Sequence, residues 1–218
     1  MAGSSASAPD TARDAQPPAR LRVGVLAIQG DFEAHSAALE RLGAEPIEVR
    51  RPAQLGDLDA LVMPGGESTT IAKGINAYGF GEPLRSFARS GRPVFGTCAG
   101  LILLDRNHLG LMNIEARRNA FGRQLQSFEA DLTVRGLGDE PVRAVFIRAP
   151  WIDDLGAGVE ALAEIDGRAV IARERNMLAC AFHPELTDDL RIHALFLALA
   201  ESGQERAEPQ ALSGGEQR

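Results

Sequence analysis

The segment Gly96-Thr97-Cys98-Ala99-Gly100 sets the tightest constraint on how this chain folds. It follows the apolar run Pro93-Val94-Phe95 and precedes Leu101-Ile102-Leu103-Leu104. That order reads as strand, sharp turn and helix, with a cysteine at the apex. Glycines on either side suit a turn with little room for a Cβ. Such a turn lifts the Cys98 sulfur off the sheet and sets it at a helix N-terminus, where unpaired N–H groups and the helix dipole favour a thiolate. Taken alone, the pattern equally suits a buried structural cysteine in a glycine-rich loop.

Phe182-His183-Pro184-Glu185 follows the apolar run Met177-Leu178-Ala179-Cys180-Ala181. In an extended chain, residues two apart point the same way. Pro184 fixes its own φ and pushes His183 towards an extended conformation. The imidazole and the carboxylate are therefore expected side by side, with His183 able to take the thiol proton and Glu185 able to fix its tautomer. Alone, His183 reads as a satisfied core or surface histidine and Glu185 as a solvated charge. Joined to the cysteine turn, a Cys98-His183-Glu185 triad is the better reading.

A third segment carries anion chemistry. The apolar run Ala60-Leu61-Val62-Met63 enters Pro64-Gly65-Gly66-Glu67-Ser68-Thr69-Thr70 and then a helical stretch. Adjacent glycines let backbone N–H groups turn inward on a substrate oxygen. By itself the loop is also an ordinary strand-to-helix turn, and without a following Gly-Lys-Ser/Thr it is no Walker loop.

The remaining pattern alternates strands and helices. Strands are expected at Arg22–Ile28, Pro46–Val49, Ala60–Met63, Pro93–Phe95 and Met177–Ala181, and helices at Phe32–Leu42, 82–90, 99–105 and 188–200. Ser127–Val134, Val142–Ile147, Val159–Ile165 and Arg168–Ala172 read as further, mixed strands. This alternation predicts an α/β fold, with a central mostly parallel sheet covered on both faces by helices. Ligands bind at the carboxyl ends of strands in such folds, where all three motifs fall.

Composition limits the function. The 218 residues fit one domain with a full core. A net charge of −7 gives no electrostatic case for nucleic acid or an anionic membrane. No apolar run approaches the ~20 residues of a transmembrane helix. Residues 1–20, rich in Ala, Ser, Pro and Asp and without an apolar leader core, are expected to be disordered, as are 202–218; residues 21–201 form the folded domain. Two cysteines, one of them at the turn apex, argue against a disulfide framework and for the cytoplasm. Cys180 in its apolar run reads as core, and no sequence cluster has metal-ligand spacing, so no metal is expected. Trp151 is undecided between core and a partner face.

Pro64–Thr70, Gly96–Leu101 and Phe182–Leu186, in this order, resemble the motifs of class I, triad-type glutamine amidotransferases. Leu26-Ala27-Ile28-Gln29-Gly30, Arg118-Asn119-Ala120-Phe121-Gly122-Arg123-Gln124 and Val145-Phe146-Ile147-Arg148-Ala149-Pro150 are similar to the glutaminase subunits of pyridoxal 5′-phosphate synthases. The resemblance spans roughly Leu21 to Ala200 and implies the three-layer, flavodoxin-like fold of that class. It implies catalysis by Cys98, His183 and Glu185, and glutamine binding by Gly66, Glu67, Ser68, Arg118, Ile147 and Arg148. Guanidinium forks match an α-carboxylate, although in so arginine-rich a chain Arg118 and Arg148 would otherwise read as solvated. The oxyanion of the tetrahedral intermediate falls to the N–H groups of Ala99 and the Gly65–Gly66 loop.

The resemblance also implies a partner. Ammonia released into neutral water is mostly protonated, so such a glutaminase works docked to a synthase subunit that receives ammonia through a channel. The implied synthase builds pyridoxal 5′-phosphate from a pentose phosphate, a triose phosphate and ammonia. Pyridoxal phosphate is then a product, and no bound cofactor is expected. Two other readings stay open: the glutaminase of another amidotransferase, such as imidazole glycerol phosphate synthase, and a non-catalytic module on the same fold. One stretch departs from the family pattern. After Asp105-Arg106 the chain reaches Asn107-His108-Leu109 at once, where the pattern continues for several more residues.

Overall fold

The computed structural model describes residues 20–118 and 127–207, with side chains to residue 202. Residues 1–19 and 208–218, and with them most of the expected terminal disorder, lie outside the described residues, as does Asn119–Gln124.

In chain order the first half comprises β1 (Arg22–Leu26), α1 (Phe32–Arg41), β2 (Glu45–Val49), β3 (Ala60–Met63), α2 (Ser68–Ala77), α3 (Gly81–Arg89), β4 (Val94–Thr97) and α4 (Ala99–Leu104). Then come β5 (Ile114–Arg117), β6 (Ser127–Leu132), β7 (Val142–Ile147), β8 (Trp151–Leu155), β9 (Glu160–Ile165), β10 (Arg168–Glu174), β11 (Met177–Cys180) and α5 (Arg191–Ala207). A 3-10 turn, Pro184–Leu186, separates the last two.

The main sheet has the order β2-β1-β3-β4-β11-β10-β8-β5, with β9 paired to β10. The run β2-β1-β3-β4-β11 is parallel throughout. The strands beyond β11 join antiparallel. Every side chain of β3 and β4 is buried. Successive strand residues face opposite sides, so helices and loops cover both faces here, as a parallel sheet requires.

The structure departs from the sequence expectations in two places and decides one question they left open. β5 and β8, absent from the expected strands, pair with each other at the sheet's far edge. The four residues of β5 alternate but are too few to mark a strand, and Trp151–Leu155 does not alternate, so the pairing itself selects the extended state. Trp151 opens β8 and is buried, its ring covered by the Arg168 guanidinium 3.6 Å from the centroid, which decides for core. Helix α5 runs to Ala207 rather than 200, so residues 202–207, expected in a disordered tail, are helical.

Candidate active site

The parallel order brings the motifs together. β1, β3, β4 and β11 are consecutive neighbours, and Gln29–Asp31, Gly65–Ser68, Cys98 and His183 follow their carboxyl ends. Register aligns Met63 with Gly96 and Thr97 with Cys180, so the loops leave the sheet at one level.

Cys98 sits in the strained backbone expected of the turn apex, with φ 47° and ψ −103°. Its N–H donates to Cys180 O at 2.8 Å, which locks the turn onto β11. The flanking glycines are required by close approach. A Cβ on Gly100 would lie 1.9 Å from Met63 O, and one on Gly96 would lie 2.7 Å from Gly100 C. Behind the turn, α4 has only six residues, all buried. The short connection after it is closed by the Asp105 carboxylate. Asp105 Oδ1 accepts from Asn107 N at 2.9 Å and lies 2.7 Å from His108 Nδ1, while Oδ2 accepts from Ala116 N at 3.2 Å.

His183 is anchored by its own N–H, which donates to Val145 O of β7 at 2.9 Å. Its Nδ1 lies 2.7 Å from Glu185 Oε1, and its ring shares one wall of the site with Cys98. The pairing does not arise from strand alternation as expected: residues 184–186 form the 3-10 turn, and that turn curls the carboxylate back onto the ring. Burial works against the imidazolium, but the hydrogen bonds and charges of Cys98 and Glu185 outweigh it and raise the His183 pKa to about 10. Cys180 is wholly buried, and burial pushes its thiol well up, as befits a core cysteine.

A cavity of about 410 Å³ opens above Cys98, a size that suits a small ligand. Cys98, Ala99 and His183 line one part of it. All six residues expected to bind glutamine line it as well: Gly66, Glu67, Ser68, Arg118, Ile147 and Arg148. Glu185 does not, because it lies behind His183, buried.

Two loop residues differ from their expected parts. The Gly65 N–H donates to Thr97 Oγ1 at 2.9 Å, so it is already spent, and Gly65 does not line the cavity. Its glycine serves clearance: a Cβ would meet His183 Cε1 at 2.5 Å and Cys98 Cβ at 3.2 Å. Gly66 and Ala99 both line the cavity. The Glu67 carboxylate caps α2, accepting from Thr69 N at 2.9 Å and from Thr70 N and Oγ1 at 2.8 Å. The Thr69 and Thr70 hydrogen bonds hold its pKa down to about 2. Its own N–H donates to Gln29 Oε1 at 2.7 Å.

Gln29, Asp31, Ile102 and Pro150 also line the cavity and were not picked out from sequence. The signal for the first two was their place just past the end of β1, a ligand-binding position in α/β sheets. Asp31 Oδ2 comes within 3.7 Å of His183 Nδ1. Asp31, His183 and Glu185 are a group whose donor atoms lie within 4.8 Å of one another. His183 Nδ1 is engaged by Glu185 and its ring favours the protonated form, which leaves little for an ion to bind. No helix among the described residues is long and apolar enough to cross a membrane.

The model of the SNO glutamine amidotransferase family matches residues 25–202. The pyridoxal 5′-phosphate synthase subunit PdxT of Desulforudis audaxviator is 54% identical over 184 residues, covering 81% of this chain and 97% of that protein. The PdxT of Nocardia farcinica is 49% identical over 204 residues, covering 87% and 90%. A crystal structure of a glutamine amidotransferase matches with a TM-score of 0.78 and 48% identity, over 82% of this chain and 98% of its own. The structure of PurLQS from Thermotoga maritima, 17% identical with a TM-score of 0.62 over 87% of this chain and 99% of its own, shares the fold. The chain therefore belongs to the SNO glutamine amidotransferase family.

Proposed function

We propose that this chain is the glutaminase subunit of a pyridoxal 5′-phosphate synthase, hydrolysing L-glutamine to L-glutamate and ammonia and passing the ammonia to a synthase subunit. The observation that carries the reading is that Cys98 and the hydrogen-bonded His183–Glu185 pair meet at one cavity, which also presents Arg118 and Arg148. Relatives about half identical over most of their length bear the name of pyridoxal 5′-phosphate synthase subunits.

The geometry supports the following roles. Glutamine enters with its α-carboxylate towards Arg118 and Arg148 and its side-chain amide against Cys98. His183 takes the Cys98 proton, which its raised pKa favours, and Cys98 attacks the amide carbon. The N–H groups of Ala99 and Gly66 hold the oxyanion. His183 gives its proton to the leaving ammonia. Water, activated by His183, then hydrolyses the γ-glutamyl thioester and frees glutamate. Glu185 keeps the imidazole oriented and offsets its charge. Gly66, Glu67, Ser68 and Ile147 shape the glutamine site, Glu67 by holding the loop at the α2 N-terminus. Both cysteines are free thiols, which suits a reducing compartment, and we place the complex in the cytoplasm.

Glutamate release from L-glutamine, followed with and without the synthase subunit for the wild type and for Cys98→Ala, tests the reading. Wild-type turnover that the synthase enhances, and a loss on the order of 10⁴-fold or more in Cys98→Ala, is expected. Wild-type rates in Cys98→Ala, or labelling of Cys180 by a glutamine-analogue electrophile, would overturn it.

A further inference from the structure

Behind the triad lies a buried polar line that the mechanism above does not use. His35 of α1 is fully buried. Its Nε2 lies 3.2 Å from Glu185 Oε2 and 3.1 Å from Thr97 Oγ1. Its Nδ1 lies 2.9 Å from Nε2 of His193, which is also fully buried, on α5. The Phe95 ring stands edge-on to both imidazoles, at 6.4 Å from His35 and 6.0 Å from His193. Thr97 Oγ1 in turn accepts the Gly65 N–H. The line thus runs from the oxygen of Glu185 that His183 does not use to the loop bordering Cys98.

Both rings are kept uncharged by burial. It is the leading cause that pushes His35 well below its usual value, and it takes His193 to about 4. Two neutral arrangements are then possible. In one, His193 Nε2–H donates to His35 Nδ1, and His35 Nε2–H points at Thr97 Oγ1 and Glu185 Oε2. In the other, a His35 Nε2 lone pair faces the Glu185 carboxylate, and His193 Nδ1–H is a buried donor. Neither Glu185 Oε2 nor His193 Nδ1 has a hydrogen-bond partner among the described residues. The first arrangement puts a donor nitrogen 3.2 Å from the unpartnered Oε2 and leaves His193 Nδ1 as a bare acceptor, which costs less than an orphaned N–H.

We propose that His35 is a positioning residue for glutamine hydrolysis: its Nε2–H is shared between Glu185 Oε2 and Thr97 Oγ1, and it ties the carboxylate that orients His183 to the Gly65 loop, with His193 fixing the His35 tautomer. This rests on the triad reading of the preceding section. Glu185 Oε1 serves His183, and an unheld Oε2 would let the carboxylate rotate. The His183 ring and the Gly65 backbone are in near contact, so one buried donor sets both sides of the nucleophile.

Side-chain chemistry separates this role from simple packing. Glutamine places an amide N–H near the position of histidine Nε2, whereas asparagine places one near Nδ1. Kinetics of the complex with the synthase subunit, for His35→Gln, His35→Asn and His35→Leu beside the wild type and Cys98→Ala, make the test. Asparagine and leucine are expected to lower kcat by about 10- to 100-fold with KM within about twofold, and glutamine to recover most of the loss. Equal kcat losses in all three, tracking their melting temperatures, would overturn the positioning role, as would unchanged kcat in all three. Undiminished turnover in Cys98→Ala would instead overturn the triad reading. Nitrogen-15 NMR of the labelled wild-type chain reads the tautomer without any variant: His35 protonated at Nε2 supports the proposal, and His35 protonated at Nδ1 overturns it.

Discussion

His183 Nδ1 lies 2.7 Å from Glu185 Oε1 across a single 3-10 turn, with Pro184 at its first position. Proline needs no N–H there and its fixed φ fits the turn. The pair is thus set by local backbone geometry, while Cys98 reaches it only through the pairing of β4 with β11.

The two triad partners of Cys98 should differ in weight. His183 moves protons in both half-reactions, whereas Glu185 orients and stabilises it. We expect His183→Asn to lower kcat by on the order of 10⁵-fold and Glu185→Gln by roughly 10²- to 10⁴-fold. Steady-state turnover with the synthase subunit present checks the ranking. Equal losses would mean that Glu185 does more than orient.

Arg118 and Arg148 line the cavity, Arg148 in a left-handed conformation with φ 45°. An α-carboxylate is remote from the scissile amide, so its loss of contact weakens ground and transition states alike. Arg118→Ala and Arg148→Ala should each raise KM for glutamine by roughly 10- to 100-fold, the equivalent of about 1.5–3 kcal/mol, and change kcat little. Unchanged KM in both would remove them from the glutamine site.

Asp105 closes the short connection behind α4 and is 1% exposed. Removing its carboxylate strands the Asn107 and Ala116 N–H groups and frees His108. His108 Nε2 lies 3.4 Å from Arg118 Nη2, so the loss reaches the cavity. Asp105→Ala should destabilise the fold by about 3 kcal/mol and raise KM for glutamine. Urea unfolding and steady-state kinetics measure the two effects, and a variant as stable as wild type would show that the turn closes without Asp105.

The buried histidines give stability opposite pH limbs. An unfolded histidine titrates near 6.5. Below that pH the unfolded chain takes protons at His35 and His193 that the folded chain refuses, at His193 down to about 4. Stability therefore falls as pH drops across this window, by roughly 3 kcal/mol for His193 alone. His183, raised to about 10, behaves in the reverse sense. Its contribution is complete below 6.5 and is lost as pH rises through about 10. Urea unfolding at several pH values should peak near 6.5, and His193→Leu should flatten the acid limb. An acid limb unchanged in that variant would assign it to other groups.

Much of the site is legible along the chain because its parts are local. A turn of Gly-x-Cys-x-Gly after an apolar run has few backbone solutions, so Cys98, the Gly65–Gly66 loop and the His183–Glu185 pair stand out before any folding. The apolar runs that became β1, β3, β4 and β11 are equally plain, since a strand buried on both faces must be apolar throughout. The sequence also carried a likeness specific enough to imply the family.

Tertiary structure alone decided what depends on distant partners. β5 and β8 are strands because each supplies the other's hydrogen bonds. Gly65 faces Thr97 rather than the cavity because a hydroxyl from the neighbouring strand takes its N–H. His35 and His193, unremarkable in two helical stretches far apart in sequence, meet behind Glu185 because α1 and α5 pack over the same part of the sheet. Hydrogen bonds between residues so distant follow no sequence period. They exist only once burial has removed water and left each polar atom the partner that the fold brings to it.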